Sequence, residues 1–430
     1  MSSERSVRLA VQLAVLSALA AAVANSTLAD RCLRRVLPGL SSAVSVVPLA
    51  VLGLFTSEFP RQVFAVEAAA GLALAPSALR RGRGRWALLA LATSWLGLLL
   101  ASRRGHVAGV ILDGALKSAL GVDYRSALPV AVHQDMSTRR QDKWIPKFSQ
   151  RPRYLRHADL SYGTAHVRND LDIWYRNDLS CDGRAPVLLQ IHGSAWVAGS
   201  KRGQGYPLMA HMTERGWVCV AINYSLAPVA RWPAHIIDVK RALAWVKREI
   251  AEYGGDPNFI ALTGGSAGGH LTALAALTPN EPVFQPGFED VDTAVAAAVP
   301  FYGVYDLLDR SVKAPREQRA FLTRIVIGAS PEVAPKIWTE GSPMHWIRPD
   351  APPFFVLHGS IDTLTPPSTA RRFAEQLSKV SREPVVFAEL PGAQHMWEAV
   401  PSVRTAATVA AVDRFLTTIH RRHGGLSGPG

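Results

Sequence analysis

Cysteine is scarce in this chain of 430 residues, and the three cysteines present lie far apart. Cys32, Cys181 and Cys219 form no CxxC pair, which excludes a disulfide-stabilised scaffold and a zinc ribbon. Charged residues make up only 19% of the chain and hydrophobic residues 48%, which excludes an intrinsically disordered protein. Glycine and proline contents are ordinary, which excludes a collagen-like chain. A chain of this length and apolar content can form a large core and more than one structural region.

Excess positive charge is absent from most of the chain, although the whole sequence carries a net charge of +13. Residues 1–120 carry 13 basic and 5 acidic side chains, and residues 121–157 carry 8 basic and 3 acidic ones. Residues 158–430 carry 26 of each sign. The chain also lacks C2H2 spacing and an RNP-type aromatic motif, so no nucleic-acid partner is predicted. The basic residues instead flank apolar segments, which is typical of proteins that contact anionic membranes.

Four apolar runs in residues 1–105 predict an N-terminal bundle of membrane-spanning helices. Arginine clusters separate the runs, and about 20 apolar residues are enough to cross a bilayer. The third run contains Glu67 and the fourth is short, so the sequence predicts three or four spans. The runs are Leu9–Leu28, Leu37–Ser57, Val63–Leu79 and Trp86–Ala101.

Two other interpretations of this region stay open. The runs also fit buried helices of a soluble domain, and the first run fits a signal peptide with a cleavage motif at residues 22–24. Basic residues are equally divided between the two sides of a four-span arrangement, so they give no orientation. The sequence predicts a multi-pass protein of the cell membrane with membrane lipids as partners. Residues 106–157 follow as a basic juxtamembrane connector, in which His106–Leu120 fits a short amphipathic helix.

From residue 158 to residue 425 the sequence alternates short apolar strands with helices. Pro186–His192 and Trp217–Asn223 are continuous apolar runs, typical of strands buried on both faces. Ala234–Tyr253 has helical periodicity and ends at two glycines. Such alternation predicts an α/β fold with a mostly parallel sheet and helices on both faces. Ligands of such sheets bind at the carboxyl ends of the strands, so we expect the chemistry just after them.

The segment Gly264-Gly265-Ser266-Ala267-Gly268 fits the pattern G-x-S-x-G between a predicted strand and a predicted helix. In that context the serine lies on a sharp turn at a helix N-terminus, where positive potential stabilises negative charge. The two flanking glycines are expected because larger residues would keep the turn from closing. We therefore expect Ser266 to act as a nucleophile, and the alternative is a glycine-rich turn that binds phosphate.

A serine nucleophile needs a base, and the base needs a carboxylate that fixes its tautomer. Asp362 and His395 each follow a later strand, and the order of serine, aspartate and histidine along the chain is that of α/β-hydrolases. Asp306 is the alternative acid, because it also follows a predicted strand. His420 and His423, in and after the last helix, are the alternatives for the base.

The segment HGSAW at residues 192–196 follows the strand PVLLQIH and predicts an oxyanion hole. A serine hydrolase needs hydrogen-bond donors directed at the developing oxyanion. We expect the backbone N–H groups of Gly193, Ser194 and Ala267 to supply them. His192 is interpreted as a structural residue that bonds the loop backbone and transfers no proton.

Residues 158–425 resemble the α/β-hydrolase esterases, in particular the hormone-sensitive-lipase and kynurenine-formamidase-like bacterial esterases. The motifs that carry the resemblance are HGSAWVAGSK, GGSAGG, FYGVYDL, HGSIDTLTP and GAQHMW. The whole chain resembles membrane-anchored carboxylesterases and lipases of actinobacteria. The resemblance implies a serine carboxylesterase that cleaves small-molecule or lipid acyl esters with a Ser266–His395–Asp362 triad and requires no metal or organic cofactor. An amidase of the formamidase type is the alternative, because it uses the same triad.

Two motifs depart from the pattern of these esterases. The relatives have HGGG or HGGxW where this chain has Ser194, whose Cβ would narrow the hole or disfavour a positive φ. GGSAGG replaces GDSAGG, which moves the resemblance towards the formamidase-like esterases. Residues 307–347 are expected to cover the acyl pocket. The alternative is that they form helices that pack on the sheet and do not cover a pocket. The candidate roof residues are Phe321, Ile325, Trp338 and Trp346.

Overall fold

A computed structural model describes residues 53–79, 82–126, 128–129, 153–180, 182, 184–308 and 316–426. Eight strands form one central sheet. They are β1 (Leu155–Ser161), β2 (Asp170–Trp174), β3 (Ala185–Ile191), β4 (Val218–Ile222), β5 (Gly255–Gly265), β6 (Ala297–Phe301), β7 (Phe354–Gly359) and β8 (Val385–Leu390). Their order across the sheet is β1-β2-β4-β3-β5-β6-β7-β8. Strands β3 to β8 are parallel, whereas β2 pairs antiparallel with both β1 and β4.

Helices cover both faces of the sheet, as the sequence predicts. The described α-helices are α1 (Pro60–Leu79), α2 (Gly82–Leu120), α3 (Tyr206–Glu214), α4 (Ala234–Glu249), α5 (Ala267–Leu277), α6 (Arg316–Phe321), α7 (Pro335–Glu340), α8 (Pro367–Val380) and α9 (Val403–Leu426). Helices α2, α3 and α9 pack on one face, and α4, α5 and α8 pack on the other. Neighbouring residues of a strand enter opposite cores: Leu188 faces α3, and Leu189 faces α4.

The predicted membrane spans are described only in part. The first run and most of the second lie outside the described residues. The third and fourth runs fall in α1 and α2. Of the helices that the structure describes, none is both long and apolar enough to cross a membrane, so the third and fourth predicted spans are not confirmed. Glu67 is buried between α1 and α2, where it accepts a hydrogen bond from Ser94 at 3.1 Å.

Helix α2 crosses the predicted boundary between residues 105 and 106 without a break. The predicted short helix His106–Leu120 is therefore the C-terminal part of a helix of 39 residues. This part buries four side chains against the region that follows residue 158, on the face formed by α9 and β8. They are Ala108, Leu112, Leu116 and Leu120. A buried ion pair between Glu58, in helical residues 53–58, and Arg404 of α9 adds a second attachment.

Candidate active site

Ser266 lies on the turn between β5 and α5, at the carboxyl end of the sheet. Its backbone is strained, with φ 59° and ψ −119°, and its N–H donates to the carbonyl of Phe301 at 3.0 Å. A Cβ on Gly264 would lie 2.5 Å from the Ile191 carbonyl oxygen, and one on Gly268 would lie 2.2 Å from it. Only glycine therefore fits at the positions two residues before and two residues after Ser266.

The start of α5 provides a positive electrostatic potential beside Ser266. Ala267 is the first residue of this helix, and the first N–H groups of a helix have no partner within it. Ala267 is buried, whereas Ser266 is partly exposed. A negative charge that forms next to this turn is stabilised by the N–H groups and the helix dipole together.

His395 and Asp362 form a hydrogen-bonded pair after β8 and β7, with 2.7 Å between His395 Nδ1 and Asp362 Oδ2. Asp362 Oδ1 also accepts from the N–H groups of Leu364 at 2.9 Å and Thr365 at 2.8 Å. Burial by itself raises the pKa of Asp362, but the imidazoles of His395 and His358 outweigh burial and hold that pKa well below its usual range. Asp362 is therefore an anion, so His395 Nδ1 carries the donated hydrogen and Nε2 is left as the basic nitrogen.

The alternative acid and bases have other partners. Asp306 Oδ2 accepts a hydrogen bond from Arg372 at 2.9 Å. The rings of His420 and His423 both pack against Phe259, in the first half of β5 and away from the serine turn. Asp362, which forms the hydrogen bond to His395, is the aspartate that the sequence analysis favours.

Two buried residues connect the acid–base pair to the serine turn, and the sequence analysis did not single them out. The Tyr302 ring centroid lies 4.4 Å from that of His395, and the Tyr302 hydroxyl donates to Glu398. A Cβ on Gly265 would lie 2.5 Å from the Tyr302 hydroxyl, so Tyr302 packs against the residue that precedes Ser266. Burial raises the pKa of Glu398 to about 7. Tyr302 belongs to the motif FYGVYDL and Glu398 follows GAQHMW, but the letters alone do not show that the two segments meet.

His192 bonds the loop backbone, as the sequence predicts. Its Nδ1 lies 2.9 Å from the Gly193 carbonyl oxygen, and its ring stacks on Tyr224 with 4.3 Å between centroids. Burial lowers the pKa of His192 to about 4. The imidazole is therefore neutral at pH 7 and serves as part of the support of the loop.

The loop that follows His192 differs from the expectation in two respects. The Gly193 N–H donates to Gln204 Oε1 at 2.7 Å, so it is taken up in this structure, and its role as an oxyanion donor stays a prediction. Ser194, Ala195 and Trp196 adopt φ values of 78°, 54° and 62°, so the Cβ of Ser194 does not prevent a positive φ. In the part of the chain that is described, neither the Ser194 nor the Ala195 N–H takes part in a backbone hydrogen bond. The Ala195 N–H is thus a candidate donor that the sequence analysis did not name.

Residues 316–347 form the main described part of the predicted roof. Trp338 is fully buried and lines a cleft with Leu307 and Thr365, and the Thr365 hydroxyl donates to Asp362 at 2.9 Å. The other three candidate roof residues pack against the core around α4 and α5. They are Phe321, Ile325 and Trp346. Within the described residues, no three His, Cys, Asp or Glu side chains form a group that could hold a metal ion.

Comparisons with known proteins agree with this α/β-hydrolase architecture. The family model described as BD-FAE matches residues 171–377. The chain is 48% identical to the probable carboxylic ester hydrolase LipM of Mycobacterium tuberculosis, over 88% of each chain. It is 42% identical to the esterase LipQ of the same organism, over 87% of this chain and 85% of that protein. The butyrate-bound structure of the thermophilic esterase Est2 of Thermogutta terrifontis superposes with a TM-score of 0.51 and 26% identity, covering 62% of this chain and 94% of Est2.

The fold and the relatives together define the class of this protein as an α/β-hydrolase enzyme that cleaves carboxylic esters. The chain belongs to the family of carboxylic ester hydrolases that includes the mycobacterial esterases LipM and LipQ. The expectation of a carboxylesterase is confirmed, and the amidase alternative is not favoured.

Proposed function

We propose that this esterase works by two-step acyl transfer on Ser266. His395 Nε2 takes the proton of the Ser266 hydroxyl while the Ser266 oxygen attacks the ester carbonyl carbon. His395 then gives that proton to the leaving alcohol, which leaves an acyl group on the serine. A water molecule repeats the cycle and releases the acid. The observation that carries this proposal is the 2.7 Å hydrogen bond between His395 and the buried anion Asp362, at the same end of the sheet as the strained serine turn.

We propose three backbone donors for the oxyanion of the tetrahedral intermediate. The Ala267 N–H lies at the start of α5, directly after the nucleophile. The Ser194 and Ala195 N–H groups belong to the loop after β3 and make no backbone hydrogen bond in the described part of the chain. Gly193 would contribute only if its bond to Gln204 opened. Removing one such donor in a serine hydrolase lowers kcat by roughly 100- to 1,000-fold.

We propose short acyl esters as the substrate class. Est2 of Thermogutta terrifontis was solved with butyrate and with propionate bound, and this chain resembles both structures at 26% identity with TM-scores of 0.51 and 0.52. The expected profile on p-nitrophenyl esters from acetate to palmitate has its maximum at propionate or butyrate. A maximum at palmitate would instead indicate lipid esters as the substrate class.

The experiment that tests the nucleophile is an esterase assay on the full chain and on Ser266→Ala. Ester hydrolysis should fall to background in Ser266→Ala, because the variant lacks the hydroxyl on which the proposed acyl-enzyme forms. Ser378→Ala, which changes an exposed serine on α8, serves as the control and should keep wild-type rates. Unchanged turnover in Ser266→Ala would remove Ser266 from the mechanism. N-formylkynurenine is assayed in parallel, and its hydrolysis in place of the esters would indicate a formamidase.

The acid is tested by a matched pair of aspartate variants. Asp362→Asn should lower kcat by about 1,000- to 10,000-fold with little change in KM, because the neutral amide no longer holds His395 in the reactive tautomer. Asp306→Asn removes a buried carboxylate and should lower kcat far less than Asp362→Asn, because Asp306 pairs with Arg372 and not with His395. The opposite ranking of the two variants would make Asp306 the acid.

We further propose that the N-terminal part attaches the enzyme to the cell membrane. Two uncharged apolar runs, Leu9–Leu28 and Leu37–Ser57, and the net charge of +8 in residues 1–120 support this proposal. After cell lysis and a carbonate wash, the full chain should stay in the membrane pellet. Recovery of the full chain in the supernatant would contradict membrane attachment.

A further inference from the structure

We propose that the Ser194 side chain is a further catalytic residue, whose hydroxyl donates a hydrogen bond to the oxyanion, and that Gln204 is the positioning residue that directs this proton. The inference rests on the proposed acyl transfer at Ser266. It assigns a role to the serine of the segment HGSAW and to a glutamine outside every motif noted in the sequence.

The Gln204 carboxamide bridges two consecutive residues of the loop after β3. Its Oε1 lies 2.7 Å from the Gly193 nitrogen, and its Nε2 lies 3.1 Å from Ser194 Oγ. One amide group therefore binds both the backbone and the side chain of the predicted oxyanion loop.

The backbone contact determines which way the carboxamide faces. A backbone N–H can only donate, so the Gln204 atom beside Gly193 is the carbonyl oxygen. The opposite atom is then the NH₂ nitrogen, which also can only donate. Ser194 Oγ consequently accepts the hydrogen bond from Gln204, and the Ser194 hydroxyl proton is not used in this contact. The proton is available to a second acceptor.

The loop packs directly against the nucleophile. A Cβ placed on Gly193 would lie 3.2 Å from Ser266 Cβ and 3.3 Å from Gln204 Oε1. Gly193 therefore separates the serine turn from the glutamine, and Ser194 is the next residue along the loop. The proposed acceptor is the carbonyl oxygen of an ester bound at Ser266.

The chemistry of the loop explains why a hydroxyl is useful at position 194. The bond to Gln204 takes up the Gly193 N–H, and the same glutamine leaves the Ser194 proton unused. A hydroxyl donor directed at an oxyanion contributes most when its own oxygen already accepts a hydrogen bond, because the two bonds polarise each other. In this arrangement the Ser194 hydroxyl takes the place of the Gly193 N–H as a donor to the oxyanion.

Ser194→Ala tests the proposal in the full-length enzyme with p-nitrophenyl butyrate. We expect kcat to fall by roughly 10- to 100-fold at nearly constant KM, because the hydroxyl acts on the transition state. Ser200→Ala removes a hydroxyl that binds the Arg202 backbone in the same segment, and it should leave kcat within twofold of wild type, a rough bound. Rates are divided by the concentration of active sites, which is measured by complete phosphonylation of Ser266. Misfolded protein then does not enter the comparison.

Gln204→Glu tests the direction of the proton with almost no change of shape. A carboxylate accepts from the Gly193 N–H as before, but it also accepts from the Ser194 hydroxyl and so turns the proton away from the oxyanion. We expect Gln204→Glu to lose about as much kcat as Ser194→Ala, and the double variant to lose no more than the larger single loss.

The outcomes separate this inference from the mechanism on which it rests. Wild-type kcat in Ser194→Ala, or independent losses that multiply in the double variant, would overturn the proposal while Ser266→Ala remains inactive. An active Ser266→Ala enzyme would overturn the proposed mechanism itself, together with the role given to Ser194.

Discussion

Three consecutive non-glycine residues of the loop beside Ser266 have a positive φ: Ser194, Ala195 and Trp196. Each such conformation costs about 1–2 kcal/mol for an L-residue. Contacts of Trp196 offset this cost, because its indole N–H donates to His270 Nδ1 at 3.2 Å and its carbonyl accepts from the Ala227 N–H at 2.9 Å. The loop conformation is therefore imposed by tertiary contacts and not by local preference.

The buried carboxyl of Glu398 should make stability depend on pH. Its folded pKa is about 7, raised by burial above the usual 4.5, so the folded chain binds one more proton than the unfolded chain between these values. Stability is then greatest below the lower value and falls as the pH rises to about 7. The whole shift corresponds to about 3 kcal/mol in the free energy of unfolding.

Glu398→Gln should remove this pH dependence, because the amide keeps an acceptor for Tyr302 and cannot ionise. Urea unfolding at pH 5 and pH 8 measures the effect as the difference between the two free energies. Glu375→Gln changes an exposed glutamate that pairs with Lys379, and its difference should stay close to that of the wild type. If Glu398→Gln loses as much stability as the wild type between the two pH values, Glu398 is not the titrating group.

At the residue scale, the sequence predicted the members of the site better than their contacts. Asp362 and His395 were recognised because each follows a strand, and they do form a hydrogen bond. Gln204 and Glu398 were missed, because each acts through a partner that is distant in sequence or lies in another motif. No periodicity or spacing reports such a contact; it exists only once the sheet brings the segments together.

At the scale of single elements, a buried lysine contacts the C-terminal end of α5, the helix that begins directly after Ser266. Lys240 of α4 is fully buried, and its Nζ donates to the carbonyls of Ala275 and Thr278 and to Thr293 Oγ1. The last carbonyls of a helix have no partner within it, so Lys240 supplies partners at the C-terminal end of α5. Helix α5 is thereby fixed at one end by the serine turn and at the other by this contact.

Lys240→Met should lower the free energy of unfolding by about 2–4 kcal/mol, because buried carbonyls lose their donor. Lys247→Met is the control on the same helix. Lys247 forms a partly exposed ion pair with Asp292, so its loss should cost less than about 1 kcal/mol. Chemical denaturation of both variants gives the comparison, and equal stabilities would show that Lys240 is not a structural donor.

Apolar strands were the easiest elements to predict, and edge elements the hardest. The runs Pro186–His192 and Trp217–Asn223 coincide with β3 and β4 to within one residue at each end, because both strands are covered on both faces. The edge strand β1 was not predicted, because its seven residues, LRHADLS, are half-exposed and largely polar. An edge strand gains its order from pairing with β2 and leaves little hydrophobic pattern in the sequence.

At the scale of the whole molecule, the C-terminal part of α2 and the catalytic region share one hydrophobic core. The sequence divides the chain at residue 105, because charge and hydropathy change there. The structure continues α2 through that point and buries Leu112 and Leu116 against the face that also holds Phe415 of α9. Composition shows where the charge and hydropathy of a chain change, but it does not show which segments pack together.

Leu112→Ala tests this shared core. Leu112 is 0% exposed, and removing such a side chain typically costs about 2–5 kcal/mol. Val110, two residues earlier on the same helix, is 73% exposed, so Val110→Ala should change stability by less than about 0.5 kcal/mol. The readout is the urea concentration at which esterase activity is half lost. An unchanged midpoint in Leu112→Ala would show that the catalytic region unfolds independently of α2.

Helix α2 also determines how the catalytic region is carried. It runs unbroken from Gly82 to Leu120, a length of about 58 Å at 1.5 Å per residue. Such a helix is stiff, because bending it sharply would break backbone hydrogen bonds. Because its residues from Ala108 onward pack on the catalytic region, the distance between that region and the first turns of the helix is set by the part of α2 that precedes Ala108.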